Sequence, residues 1–131
     1  MPVPILKKIK VSDDGGEISV ELKFKTLFLC TYSLDLTEGS HNASVIGFPK
    51  RGDNSNTEDD IYTLPVPASV NNKRKLWVVT TVIDQVGIGG EYKIDLIVKQ
   101  ADKLLDEITT GEKILKNEDY RQEFFIVEFL I

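Results

Sequence analysis

The sequence predicts an all-β protein, a single-domain antiparallel β-sandwich of about seven to eight strands. The first observation is the long run 18–36, in which nearly every even-numbered residue is apolar, because side chains of a strand point alternately to its two faces. The second is a series of further apolar or β-branched runs, separated by turn-forming residues at intervals of about ten positions. The third is the length, since 131 residues suffice for one core. We therefore treat 1–131 as one domain.

The first strand is predicted at 5–11, and the short polar residues and paired glycines of 12–16 favour a turn after it. A fully extended run over 18–36 would measure about 60 Å, whereas a globule of this length is only about 36 Å across. The run must therefore bend or break, and we expect this at 25–29, where Leu27 and Leu29 place apolar groups on the polar face. A chain that bends there can pass from one sheet to the other.

The middle of the chain alternates between weak and strong strand patterns. A short strand is predicted at 45–48, and the segment of about 49–60 is predicted to be a polar loop because it holds no large apolar residue. The run 61–70 alternates but contains prolines that cannot donate to a ladder, which places it at a sheet edge. The run 76–83 is apolar or β-branched on both faces, as in a central strand covered on both sides.

The C-terminal third contains one ambiguous segment and one strong strand. Residues 92–98 alternate as a strand, and 101–115 fit either a hairpin with a turn at 101–103 or a helix; we favour the hairpin because Thr109 and Thr110 are β-formers. Seven of the last eight residues are apolar. A strand there would leave Phe124, Ile126 and Leu130 to be covered either by the chain itself, which we favour, or by a second subunit.

Composition argues against several classes of partner. The formal charge is -5, with 21 acidic and 16 basic residues, and the bases form only small groups, so nucleic acid is not expected. No window approaches the roughly 20 apolar residues needed to span a bilayer, so no membrane partner is expected. One cysteine cannot form an internal disulfide, and a cytoplasmic location is the default expectation. A secreted form whose leader has been removed is the alternative.

The sequence Gly90-Glu91-Tyr92 ahead of 93–99 is similar to strands that begin with a corner tyrosine. At this level the predicted architecture resembles immunoglobulin-like and fibronectin-like sandwiches. The resemblance is an analogy of architecture, because the single cysteine rules out the Cys and Trp spacing of antibody domains, and architecture alone does not imply function.

Catalytic chemistry has few candidates, so we expect no enzyme and no cofactor. His41 is the only histidine and lies in a polar stretch, which favours an exposed loop residue. Cys30 shares its face with apolar residues and is expected to be a buried, unreactive thiol. The glycines of 87–90 lack the spacing and following helix of a dinucleotide fingerprint, so they are interpreted as turn glycines.

Candidate binding residues are Arg51, Asp53 and Tyr62, which lie in the polar loop and on the predicted edge strand. Arg51-Gly52-Asp53 matches a tripeptide known from adhesion ligands, a match that we interpret as coincidence. No metal site is predicted, although acidic loops can bind calcium through several carboxylate oxygens. The weak calcium candidates are Asp53, Glu58, Asp59 and Asp60.

The function predicted from these observations is a non-enzymatic binding or assembly module. It would use its loops, mainly 38–60, and an edge strand near Tyr62 to bind a protein partner or to self-associate. The alternative is a sandwich or barrel that binds a small molecule or a carbohydrate in an apolar cavity.

Overall fold

The computed structural model describes residues 3–55, 60–116 and 119–131, which are almost entirely strands and connections. Within this part of the chain no helix is long and apolar enough to cross a membrane. A short 3-10 helix spans Ala68–Asn71. The strands are β1 (Ile5–Lys10), β2 (Ile18–Thr26), β3 (Leu29–Glu38), β4 (Ala43–Ser44), β5 (Lys50–Asp53), β6 (Asp60–Thr63), β7 (Lys75–Ile83), β8 (Gly90–Gln100), β9 (Lys103–Thr109), β10 (Lys113–Leu115) and β11 (Tyr120–Leu130).

Two sheets pack against each other around one apolar core, which confirms the all-β sandwich. Sheet A has the order β1-β11-β7-β3-β4, with β5 also paired to β3. Sheet B has the order β10-β8-β2-β6, with β9 also paired to β8. The alternation predicted from sequence places the apolar faces inward. The largest fully buried side chains include Tyr92, Phe125, Phe129, Leu34, Leu36, Leu76, Ile94 and Leu96.

The pairing of the first and last strands departs from the antiparallel prediction. β1 runs parallel to β11, with Ile5 beside Phe125 and Ile9 beside Phe129, while the other pairs are antiparallel among the described residues. The strand number also exceeds the predicted seven or eight, because the structure includes short strands such as β4 and β10. Strands of two or three residues have too few positions to show alternation.

The break expected within 25–29 is confirmed. β2 ends at Thr26 in sheet B and β3 begins at Leu29 in sheet A, so the chain crosses between sheets at this point. The Thr26 hydroxyl accepts the N–H of Phe28 at 3.1 Å and donates to the carbonyl of Glu91 at 3.0 Å. These bonds fix a tight connection whose middle residue, Leu27, is 106% exposed.

The hairpin at 101–103 is also confirmed, and the helix alternative is wrong. β8 and β9 pair from Asp95↔Thr109 to Gln100↔Lys103. Ala101 and Asp102 have φ values of 47° and 68°, which is the left-handed conformation required at both central residues of a type I′ turn.

Two expectations about burial are wrong. β7 is central in sheet A, as predicted, but its outward residues Trp77 and Val79 are only partly buried. β11 lies between β1 and β7, yet Phe124, Ile126 and Leu130 on its outer face are also partly exposed. Residues 3–55, 60–116 and 119–131 therefore do not fully cover the outer face of sheet A, because the two layers of the sandwich pack through their inner faces.

Part of the segment of about 49–60, predicted to be a polar loop, is a strand. β5 (Lys50–Asp53) pairs with β3 inside it. Beyond β5, the side chain of Asn54 accepts the N–H of Cys30 at 2.8 Å and donates to the carbonyl of Phe28 at 2.9 Å. An amide side chain thus continues the ladder where the strand ends, a contact that polar composition does not reveal. β6 is confirmed as an edge strand, but it is limited to Asp60–Thr63.

One polar cluster lies inside the sandwich. The carboxylate of Glu123, 3% exposed, accepts the Tyr92 hydroxyl at 2.6 Å and the Lys113 ammonium at 3.0 and 3.2 Å. Burial and the bond to Glu123 raise the pKa of Tyr92. Because Glu123 belongs to sheet A and the other two residues to sheet B, the cluster joins the two sheets.

Candidate binding cleft

The predicted binding residues lie on two neighbouring edges of the sandwich. Arg51, which is exposed, and Asp53 belong to β5 at the edge of sheet A, whereas Tyr62 belongs to β6 at the edge of sheet B. Asp53 accepts hydrogen bonds from the hydroxyl and backbone N–H of Ser55, and these bonds lower its pKa. Its carboxylate is therefore engaged within its own loop.

Tyr32 connects these two edges. Its hydroxyl donates to Oδ1 of Asp60 at 2.8 Å and shares a further hydrogen bond with the hydroxyl of Tyr62. Burial, followed by these bonds, raises its pKa. Gly52 lies opposite Tyr32 in the β3–β5 pairing, and a Cβ there would stand 2.7 Å from Tyr32 Cζ. The cluster is best understood as a structural joint between the sheets, since its polar atoms are mutually satisfied.

The calcium candidates do not form a site among the residues that the structure describes. Glu58 and Asp59 lie outside those residues, and Asp60 already accepts from Tyr32. Across 3–55, 60–116 and 119–131 there is no group of three or more His, Cys, Asp or Glu that could hold a metal ion. A calcium site that includes Glu58 and Asp59 stays a prediction.

The two residues considered for catalysis are a buried cysteine and an exposed histidine. Cys30 is fully buried, as predicted, and burial raises the pKa of its thiol to about 12. A thiol with this pKa is almost entirely protonated at neutral pH and hence a poor nucleophile. His41 is exposed in the turn between β3 and β4.

A cleft with a volume of about 580 Å³ opens at the end of the sandwich where β2 crosses to β3. Its two walls are the β2–β3 and β7–β8 connections, each of which crosses between sheet A and sheet B. The lining includes Lys25, Leu27, Phe28, Leu29, Ile83, Val86, Ile88, Gly90, Glu91, Lys93 and Glu112.

The β7–β8 connection is held in shape by Asp84. Its carboxylate accepts the backbone N–H groups of Gly87 and Gly89, both at 2.8 Å, and these bonds lower its pKa. The two glycines have φ values of 81° and 77°, a conformation that favours glycine. A Cβ at Gly89 would also lie 2.9 Å from the carbonyl oxygen of Leu115. The turn is thus preorganised, with Val86 and Ile88 pointing to solvent.

Phe28 forms the contact between the two walls. Its ring is packed so closely on Gly90 that a Cβ there would lie 3.0 Å from Phe28 Cζ. The Thr26 hydroxyl also bonds the carbonyl of Glu91 on the same side of the cleft. These contacts tie the β2–β3 connection to the start of β8 and turn Leu27 outward.

The side chains of the cleft are suited to contact with apolar groups. Leu27, Val86 and Ile88 are 106%, 76% and 83% exposed. Charged groups of both signs surround them, such as Lys25 and Glu91. Of the described residues that line the cleft, none is His, Cys or Ser, so the arrangement offers no pair of nucleophile and base of the usual kind.

Sequence reasoning missed this cleft, and Arg51, Asp53 and Tyr62 do not line it. Two signals were available: the apolar Leu27 on the polar face of the alternating run, and the apolar residues Val86 and Ile88 next to the glycines of 87–90. We interpreted the first as a corner between sheets and the second as a turn. Both interpretations are confirmed, but neither explains why the turns carry large apolar side chains.

No known protein family, curated protein or solved structure with which the chain was compared matches it. The analogy with immunoglobulin-like sandwiches therefore stays a prediction, and the argument for function depends on the geometry of the cleft.

Proposed function

We propose that this protein is a non-enzymatic binding module whose cleft, formed by 26–29 and 84–89, binds apolar side chains of a partner protein. The observation that carries the proposal is the exposure of Leu27, Val86 and Ile88 on connections that are otherwise rigidly held. Large apolar side chains clustered on a surface are typical of interaction sites. Burying one of them on binding contributes about 1.5 to 3 kcal/mol.

The form of the cleft favours a protein over a small ligand. Its apolar side chains project from the turns, so a partner must surround them as well as enter the cleft. Lys25, Glu91 and Glu112 line the cleft together with these apolar residues, and such a mixture of apolar and charged groups is typical of protein interfaces. The proposed contact surface is formed by loops, as the sequence predicts, but by the β2–β3 and β7–β8 connections and not by the loops of 38–60. Binding at Arg51, Asp53 and Tyr62 stays a prediction.

The test uses a photo-crosslinking amino acid placed at position 27 in the native host, with position 46 as the matched control. Ile46 is 97% exposed and follows β4, which pairs with the end of β3 that is remote from Leu29. The proposal expects one defined adduct at position 27, its loss when Ile88→Ser is added, and no such adduct at position 46. Identical adducts at both positions would refute it.

Binding of the captured partner should then be measured with purified proteins. Leu27→Ala and Ile88→Ala should each weaken binding by about 1 to 2 kcal/mol, which is roughly 5- to 30-fold in Kd. Ile46→Ala should leave the Kd unchanged. Because both residues are exposed, the melting temperature should not change.

A small apolar molecule is the second candidate ligand, favoured by the volume of about 580 Å³, which falls within the range of small-molecule sites. Isothermal titration calorimetry against a metabolite panel, including sugars, would test it. A ligand that binds wild-type protein but not Ile88→Ser would support this candidate. A panel without any heat of binding would count against it.

A further inference from the structure

The outer face of sheet A carries an apolar patch that the cleft does not use. The patch consists of Leu6 on β1, Phe124 and Ile126 on β11, and Trp77 and Val79 on β7. Leu6, Ile126 and Trp77 are in register on three adjacent strands, and Phe124 and Val79 form the next row. Leu6 is 66% exposed and the other four are partly exposed.

The outer face of sheet B has the opposite character. Outward positions on its two central strands carry mainly charged residues, such as Glu21 and Lys23 on β2 and Lys93, Asp95 and Lys99 on β8. One layer of the sandwich is therefore suited to water, whereas the other presents a row of large apolar side chains. This difference indicates that the patch on sheet A meets a protein surface.

We infer that the patch binds the same patch of a second copy, around a two-fold axis that runs parallel to the strands between β11 and β7. Such an axis places β11 of one copy over β7 of the other at the same height. Ile126 then faces Trp77 of the second copy, and Phe124 faces Val79. Four of the five patch residues thus meet apolar residues in reciprocal pairs, as in an isologous interface. Leu6 lies over Asp35 of the second copy, because Asp35 is in register with Trp77.

The charged residues around the patch fit the same axis. Glu128 and Lys75 are in register on β11 and β7, so the axis places Glu128 over Lys75 of the second copy, twice. β1 also comes to lie over β3, which places Lys8 over Thr37 of the second copy, two residues from Asp35. The Lys8 side chain is 75% exposed, and its ammonium lies 3.9 Å from Glu128 of its own chain. Opposite charges across an interface favour this register over others.

The size of the face is adequate for a stable dimer. Sheet A is five strands wide, and β11 has 11 residues. Its strands β1, β11, β7, β3 and β4 have 6, 11, 9, 10 and 2 residues, so with strands about 4.8 Å apart and about 3.3 Å per residue the face offers roughly 600 Å² per copy. Standard protein interfaces bury about 600 to 1,000 Å² per partner. This inference does not depend on the cleft, because the two surfaces share no residue named here.

Trp77 is the only tryptophan of the chain and lies within the patch, so its emission reports association directly. On dilution the wild-type protein should change from dimer to monomer in sedimentation equilibrium, with a red shift of the emission over the same concentrations. Ile126→Lys should be monomeric throughout. Ile114→Lys, at a residue 59% exposed on β10 of sheet B, should dimerise like wild type. A monomeric wild type at millimolar concentration, or a dimeric Ile126→Lys, would overturn the inference.

A charge-exchange experiment tests the axis itself. Glu128→Lys and Lys75→Glu should each weaken the dimer by tenfold or more, because each places like charges opposite each other twice. An equimolar mixture of the two variants should form a heterodimer at near wild-type affinity, as seen by native mass spectrometry. Changes confined to one chain cannot produce recovery on mixing. If the mixture stays monomeric while wild type dimerises, the proposed axis is wrong.

Discussion

Replacing Lys113 by methionine should destabilise the protein because it leaves the buried carboxylate of Glu123 without its ammonium partner. Lys113 contacts both oxygens of Glu123, at 3.0 and 3.2 Å. Removing one partner of a buried ion pair typically costs 3–5 kcal/mol. The Lys113 side chain is 39% exposed, so water reaches it and we expect the lower end, about 3 kcal/mol.

Substitutions within the same cluster should change the free energy of unfolding in a strongly non-additive way. Tyr92→Phe removes a hydrogen bond of 2.6 Å to a charged group, which should cost about 2 kcal/mol. The triple variant that combines both changes with Glu123→Leu should be within about 1 kcal/mol of wild type. Buried ion pairs can often be replaced by apolar residues of similar volume without loss of stability.

Urea unfolding followed by far-ultraviolet circular dichroism would measure these differences, with constant m-values as the check on two-state behaviour. Lys116→Met, an exposed lysine that follows the same strand, is the control and should change stability by less than about 0.5 kcal/mol. The reasoning fails if Lys113→Met behaves like this control. It also fails if the triple variant loses as much as its parts combined.

Three further predictions concern the contact between Gly52 and Tyr32, the buried thiol of Cys30 and the β7–β8 connection. Gly52→Ala should lower the free energy of unfolding by about 1–3 kcal/mol in chemical denaturation, because its Cβ meets the Tyr32 ring. Adding Tyr32→Phe to this variant should restore part of the lost stability, since removal of the hydroxyl relieves the clash. Folding raises the pKa of Cys30 from about 9 to about 12. The contribution of the protonated thiol to stability is therefore complete below pH 9 and is lost as the pH rises. At pH 10 the free energy of unfolding of wild type should have fallen by about 1.4 kcal/mol more than that of Cys30→Ala. The lowered pKa of Asp84 acts in the opposite direction, so Asp84→Asn should show a shallower loss of thermal stability than wild type as pH falls below about 4.

Much of the sandwich could be predicted from sequence because it depends on local patterns. Alternation over 18–36 predicted β2 and β3, and the two misplaced leucines predicted the crossing between sheets. The prolines after Tyr62 predicted an edge strand. Each of these inferences uses only the preferences of neighbouring residues and the two-residue period of a strand.

The remaining features depend on contacts between distant parts of the chain. The parallel pairing of β1 with β11 has no local signature, and neither has the use of Asn54 to extend a ladder. The cleft was missed for the same reason: its two walls are brought side by side by the pairing of β2 with β8 and of β3 with β7, between residues far apart in the sequence. Burial of Phe124 and Ile126 was overestimated because periodicity reveals which face is apolar but not whether another layer covers it.

The pairing of β1 with β11 has a consequence for synthesis of the chain. Ile5 pairs with Phe125, which is synthesised about 120 residues later. At a translation rate of roughly 5–20 residues per second, β1 therefore stays unpaired for many seconds. An unpaired apolar strand attracts other nascent chains, but Lys7, Lys8 and Lys10 interrupt β1 with charge, a recognised protection against such contacts. These lysines would then reduce association of β1 with other nascent chains until β11 has been synthesised and can pair with it.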